Sequence, residues 1–428
     1  MKIARTYLLV LVLMAGWFAC LNLVAQTPPV VLTLKGVGVG SSASMNSTGS
    51  DVQVAGSHAY LAWRRENETN HPGGFEIFSV TNPSAPVRVG GYECSGHARA
   101  VRVASHYAYL AVGTACAFTN DSGAFEIIDV DDVANPVRVG AIDTLGRPNG
   151  ICIAGHHAYV AESTRWTGSN FLGALEIFDV STPTNPVRVA AYDTGGSAMS
   201  VDVSGGHAFL ADGVADLQVL DVSDPANPRR VGGYDTDEWN NLGGEHGGPA
   251  TRIKVVGSIA YSAGEDGLHV LDVSDAANPA RLSGINYVPF HDGFDVSGRY
   301  ACAGLFVSSL NRYVLVISDM SDPANPVGLG FNAIGGVPTA LQVVDRSVYL
   351  ATLPLLVYEI SDVPAIKSIA RSGGRVVLTW GGVPGFHLQR TAALDDPLWS
   401  EVPGSAGQSR IELPMISGTE FFRLARPW

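Results

Sequence analysis

The sequence predicts an all-β protein: a seven-bladed β-propeller closed by an N-terminal strand and followed by a small all-β C-terminal domain. Three observations carry this prediction. The phrase EIIDVDDVANPVRVG at 126–140 returns as EIFDVSTPTNPVRV at 176–189 and as QVLDVSDPANPRRVGG at 218–233. Around each copy lie four short segments that alternate apolar and polar residues, as half-buried strands do. Between them there is no helical periodicity, and units of roughly 40–50 residues built from four strands are propeller blades.

The elements follow in chain order. Residues 1–25 place Lys2 and Arg5 before an apolar run from Tyr7 to about Val24 and a small Ala25. That is the three-part pattern of a signal peptide, so the chain is expected to be secreted, periplasmic or at the cell surface. The propeller is expected over 30–363. Its first-strand segments begin at Val52, Val101, Ile151, Val201, Ile253, Phe294 and Leu341, and its second-strand segments at Ala59, Ala108, Ala158, Ala208, Ala260, Tyr300 and Val348. The fourth segment, introduced by Pro86, Pro136, Pro186, Pro228, Pro279 and Pro326, occurs once too few. The missing copy is VVLTLKG from Val30 to Gly36, ahead of the first blade. An N-terminal strand that completes the last blade closes the ring and leaves no exposed edge. In the turn SDPANP, Asp224 or Asn227 can bond nearby backbone while Pro225 and Pro228 fix φ.

The repeated phrase, a strand LEIxDVS, a turn xPxNP, a strand PVRVGxY and then xxVxVxGxxAYLA, resembles the LVIVD-repeat proteins. That resemblance implies an exported or surface bacterial propeller and no general activity. Residues 364–428 lack the phrase but alternate at Val376–Trp380, Phe386–Arg390, Arg410–Leu413 and Phe421–Leu424. They resemble a short fibronectin-III-like module and are expected to form a small β-sandwich-like domain.

A net charge of -13, from 27 basic and 40 acidic residues, gives no electrostatic footprint for nucleic acid or an anionic membrane. No cofactor motif is present: the glycine-rich GVGVGSS at 36–42 is not followed by a helix start, so it lacks the dipole that holds phosphate. The histidines before AYLA and AFLA, His58, His157 and His207, recur at equivalent turns of different blades, which places them around the ring and not together.

Departures from the repeat mark the functional face. The loops WRRENETNHPGG, VGTACAFTNDSG and ESTRWTGSNFLG after the second strands, and DTDEWNNLGGEHGGPAT before the fifth first strand, all emerge at one end. There His97, Arg99, Arg147, Asn149, Glu245, His246, His291 and Asp292 precede inner strands near the channel mouth, with Arg64, Arg65, Trp166 and Trp239 farther out. The expected ligand-binding set is His97, Arg99, Arg147, Asn149, Trp166, Trp239, His246 and His291. Cationic, polar and aromatic groups around a concavity suit an extracellular protein or glycan ligand, carboxylated or sugar-like. The alternative is an extracellular propeller hydrolase or lyase working at the mouth with His97, His246 and His291. Of the cysteines beyond the signal segment, Cys94 and Cys116 emerge at the same end of one blade and are expected to form a disulfide. Cys152 and Cys302 read as buried free thiols, with Cys302 standing in the place of Leu61, Leu110 or Leu350. The middle residues of the first strands, Gln53, Arg102, Cys152, Asp202, Lys254, Asp295 and Gln342, form a polar inner ring in which Asp202, Lys254 and Asp295 are expected to pair across blade junctions.

Overall fold

The computed structural model describes residues 30–40, 47–65, 72–113, 123–163, 173–213, 217–235, 250–264, 267–285, 293–307 and 311–362, together with 366–372, 375–380, 387–391, 400–405, 408, 410–414 and 421–425. They fall into two compact units, Leu32–Ile360 and a second that includes Ser361–Trp428. In the larger unit seven four-stranded sheets follow one another. Blades 1 to 6 span 47–94, 97–144, 147–193, 200–234, 250–285 and 294–333. Blade 7 contains Leu341–Val344, Ser347–Ala351 and Leu355–Asp362, and its outermost strand is Val30–Gly38. The ring is therefore closed as the count of fourth segments requires. The expected signal segment, 1–25, lies outside the described residues.

Each blade buries the alternating apolar residues of its two central strands against the next blade. Phe75, Ile77, Val101 and Leu110 share one such cluster across blades 1 and 2, and Phe125, Ile127, Ile151 and Val160 share another across blades 2 and 3. Stacking of blade faces removes apolar surface from water, the main favourable term in folding. Phe125 and Phe178 stack across one of these junctions at 5.2 Å between ring centroids.

The repeated phrase has a physical reason at its turn and at its glycine. Asp132, Asp224, Asp275 and Asp322 each accept a backbone N–H two residues on through Oδ1 and an asparagine side chain three residues on through Oδ2, which rigidifies the turn. The carbonyl of that turn then sits over the outer strand of the preceding blade. A Cβ added at Gly90, Gly140 or Gly232 would lie 1.8 Å from Val133 O, 2.1 Å from Pro183 O or 2.1 Å from Ala276 O. Gly36, in the N-terminal strand, meets Pro83 O in the same way at 2.3 Å, so that strand occupies the full structural role of a fourth strand.

Within blades 1 to 3 the third strand carries a buried acid, Glu76, Glu126 or Glu176, between 0% and 4% exposed. Each pairs with an arginine of the fourth strand: Arg88 with Glu76 at 3.2 Å, Arg138 with Glu126 at 3.0 Å, and Arg188 with Glu176. In blades 4 and 5 Gln218 and His269 take the acid's place. There Arg230 and Arg281 turn back to Gly232 O and Ser283 O, at 3.3 and 3.2 Å.

The polar inner ring closes the seams between blades. Gln53 accepts from Val103 N at 2.6 Å, Asp202 from Val255 N at 2.8 Å, Asp295 from Val343 N at 2.8 Å, and Gln342 from Val54 N. In every case the side chain reaches the inner strand of the next blade. Asp51 does the same with Val101 N at 3.0 Å and also receives Arg102 at 2.6 Å. The expected ionic chain is thus mostly a chain of carboxylates and amides that bind backbone. Lys254 stands 3.9 Å from Asp202 and stabilises the charged form of Asp295, whose carboxyl burial pushes up to about 6. Cys302 faces Asp295 across its strand pair, as Tyr60 faces Gln53, so it replaces the repeat's aromatic residue and not its leucine. It is buried, free and pushed by that burial well above the ordinary thiol range.

The C-terminal residues form two three-stranded antiparallel sheets, one of Ile366–Ser372, Arg375–Trp380 and Arg410–Pro414, the other of Ser400–Glu401, His387–Thr391 and Phe421–Ala425. Leu378 from the first, Leu388 from the second and Val402, just past Ser400–Glu401, share a small core.

The seam assigns different weights to its members. Asp202→Ala strips a part-buried N–H of its acceptor and is expected to lower stability by about 1–3 kcal/mol in urea unfolding. Lys254→Met, which removes only the long and partly exposed ion pair, is expected to change it by less than about 1 kcal/mol.

Candidate functional site

The inner strands reach the mouth through a local irregularity. Their pairing with the second strands shifts register between Gly49 and Asp51, Ala98 and Ala100, Pro148 and Gly150, and Ala250 and Arg252. The extra residue at each shift, Ser50, Arg99, Asn149 or Thr251, opposes no partner, and such a bulge re-aims the side chain it carries. Blade 7 has Thr339 just ahead of its inner strand.

Three of these side chains are turned along the ring. Ser50 Oγ donates to Ala98 O at 2.6 Å, Asn149 Nδ2 to Ala198 O at 3.1 Å, and Thr339 Oγ1 to Gly49 O at 2.6 Å, each acceptor belonging to the next blade. Asn149 also donates to Ser163 Oγ at 2.9 Å and is buried. Its amide is committed to the scaffold, a role the sequence did not reveal. His97 is likewise drawn inward, 8% exposed, with Nε2 3.2 Å from Arg65 O, so its ring ties blade 2 to the second strand of blade 1.

The two arginines behave differently. Arg99, on the bulge of blade 2, and Arg147, at the start of the inner strand of blade 3, are both half-buried. A Cβ placed on Gly113 would lie 2.6 Å from Arg99 Nε and 3.2 Å from Arg147 Cγ. The two side chains therefore cross the same small patch of blade 2, which only glycine leaves open. Arg147 Nη2 donates to Ser163 Oγ at 3.3 Å, and its Nε is buried without a hydrogen-bond partner. Nearby, Arg65 lies 5.4 Å over the ring of Trp63. Trp166, Trp239, His246 and His291, with Glu245 and Asp292, lie outside the described residues. The structure thus brings together Arg99 and Arg147 and assigns His97 and Asn149 to the framework beneath them.

Beneath Arg147 the sequence reading missed two buried acids. Glu162 and Asp212 end the second strands of blades 3 and 4, both 0% exposed. Burial pushes the Asp212 carboxyl up to about 6 while Thr194 and Gln218 hold it by hydrogen bonds. The signal was present in the sequence as the replacement of Trp63 and Val112 by acids at one repeat position.

Cys94 is a free thiol, 7% exposed, whose Sγ donates to Gly96 O at 3.2 Å. It closes the fourth strand Val87–Cys94 and sits in the apolar core, contrary to its expected place in a loop outside the core pattern. It occupies the position of Thr144, whose hydroxyl donates to Gly146 O in the next blade, which explains why a small polarisable donor belongs there. Burial pushes its thiol up to about 12. Cys116, the partner expected for it, lies outside the described residues. Among the described residues no group of His, Cys, Asp and Glu is arranged to hold a metal ion.

The ring of seven four-stranded sheets defines a β-propeller. Among protein families, the one described as LVIVD repeat matches residues 146–194, 195–236 and 247–285, which are blades 3, 4 and 5. Those three blades thus carry LVIVD repeats. No curated protein matches its sequence. Among solved structures it is similar to Sqt1 of Saccharomyces cerevisiae, at 6% identity over 81% of this chain and 96% of that one, with a TM-score of 0.52. BamB from Moraxella catarrhalis matches at 12% identity over 76% and 83%, with a TM-score of 0.43. At such identities the Sqt1 likeness speaks to the fold alone.

Asn149→Ala removes two donors at once and leaves Ala198 O without its side-chain donor. It is expected to cost about 1–3 kcal/mol in chemical unfolding, with no loss of secondary structure by circular dichroism.

Proposed function

We propose that this is an exported, non-catalytic propeller that binds an extracellular protein or carbohydrate-like ligand at its loop-rich face. The observation that carries the reading is the convergence of Arg99 and Arg147 over Gly113 at the channel mouth of a chain whose net charge is -13. Arg99 Nε and the aliphatic stem of Arg147 meet over one glycine, so two cationic side chains share a single patch, a placement that suits an anionic ligand group. Their planar forks match a carboxylate bidentately, as in a uronic acid or an acidic side chain. His97, the one described member of the histidine set that a hydrolytic site would use, is committed to Arg65 O. That commitment favours binding over turnover.

The test is a thermal-shift screen of the mature chain against acidic and neutral oligosaccharides and against peptides. An acidic hit is expected to lose at least tenfold in affinity in the double variant Arg99→Ala, Arg147→Ala. Gly113→Ala is expected to weaken the same hit several-fold while melting within a few degrees of the parent, because the added methyl meets arginine side chains and not backbone. A hit that ignores all three substitutions would place binding elsewhere, and turnover of a hit would remove the non-catalytic reading.

A further inference from the structure

We infer that Glu162 and Glu176 share a single proton and together form a latch that holds the turn carrying Arg147 at the mouth. The inference stands on the framework of blade 3 and holds whether or not Arg147 meets a ligand.

The geometry begins with the strand register. Val160 faces Glu176 and Glu162 faces Ala174, so the two glutamates are diagonal neighbours on one face of adjacent strands. Both are 0% exposed. Their outer oxygens accept from consecutive backbone groups of one turn: Glu176 Oε2 from Leu145 N at 3.1 Å and Glu162 Oε2 from Gly146 N at 2.8 Å. Consecutive amides can reach two different carboxyl groups only if those groups lie close together. The next residue is Arg147, the first of the inner strand Arg147–Ala154.

The charged groups on the surrounding elements do not neutralise the pair twice over. Arg188, on the fourth strand, is spent on Glu176. Arg147, on the first strand, turns to Ser163 Oγ at 3.3 Å. Asp193, on the fourth strand, caps Gly195 N at 2.9 Å, and Asp212, in the next blade, is engaged by Thr194 and Gln218. One cation facing two buried carboxyls leaves one charge that water cannot reach, and a proton is the remaining way to cancel it.

Blade 4 supplies an internal control. Gln218 holds the register position of Glu176, facing Leu210 as Glu176 faces Val160, and Asp212 holds that of Glu162. Gln218 Nε2 donates to Asp212 Oδ2 at 2.6 Å and to Thr194 O at 2.7 Å. Where blade 4 has an amide N–H, blade 3 has only oxygen, and a carboxylic acid O–H does the same work. Burial, followed by Glu176, pushes the Glu162 carboxyl up to about 9, against a smaller pull from Gly146 N and Arg188. Glu162 is thus the member that carries the proton, while Glu176 faces Arg188. Loss of that proton to solvent puts two negative charges in a dry site and releases the turn.

The sign of the linkage follows. The folded state holds a proton that the unfolded chain has already lost above the ordinary carboxylate range, so this contribution to stability falls as pH rises from about 4.5 to about 9. Within that window the unfolding constant is expected to gain up to about tenfold per pH unit from this site. Glu162→Gln, which places a permanent donor against Glu176, is expected to remove that slope. Glu176→Gln rebuilds the blade 4 pairing with the amide on the third strand, leaves Arg188 Nη2 on Asp143 O at 2.5 Å, and is expected to remove it as well. A second readout needs no unfolding: the infrared carbonyl band of a protonated carboxylic acid is expected in the parent at neutral pH and lost in Glu162→Gln. Identical pH slopes in parent and both variants, or no such band in the parent at neutral pH, would overturn the shared proton. Should Glu162→Gln fail to fold, the parent spectrum and Glu176→Gln decide the question.

Discussion

The inner strand of each blade has one edge that no strand pairs, and the whole ring rests on how those edges are satisfied. Backbone N–H groups facing a narrow channel cost free energy if left without acceptors. Here Gln53, Asp202, Asp295 and Gln342 each carry an acceptor across the gap to the next blade. Ser50, Asn149 and Thr339 repeat the device one level higher with donors to carbonyls. Apolar stacking holds neighbouring blades face to face but tolerates sliding, because it has no direction. The side-chain bonds have direction, and they fix the register in which one blade meets the next.

Within that frame the blades are not equivalent. Blades 1 to 3 carry a buried acid and its arginine, whereas blades 4 and 5 replace the acid and let the arginine fold back on its own strand. Removal of one charge has thus been accompanied by a local way to satisfy the other, as the cost of an unpaired buried charge requires. Among the described residues, blade 3 is where that acid has a second one beside it, both accepting from the turn that leads to Arg147. Charge inside the blades and charge at the mouth are therefore arranged in the same sector of the ring.

The repeat made the fold legible: blade number, the N-terminal closure and the Asx turn all follow from alternation, from counting fourth strands and from Asp224 in SDPANP. Much of the site was not legible, for a definite reason. Asn149 and His97 look like mouth groups in a list of residues, yet their partners, Ala198 and Arg65, lie 49 and 32 positions away and depend on how blades face one another. Cys302 was misplaced because the AYLA pattern has two small residues flanking its core, and YACA fits it in two registers that only strand pairing separates. Cys94 read as a loop residue because the core function of the Thr144 position is a hydrogen bond to a nearby carbonyl, which hydropathy does not register.

The strand Val30–Gly38 also sets a condition on how the molecule comes into being. Its partner, Leu355–Asp362, is the last strand of the propeller, so the ring stays open until both ends of the propeller chain are present. Contacts spanning 300 residues are slow to form, and an unpaired strand waiting for them can be captured by another chain. Lys35 sits on that strand and meets Glu359 only when the correct partner arrives. A lysine on an edge strand is one of the features by which natural sheets discourage pairing with a wrong chain, and here it finds Glu359 once the ring is closed.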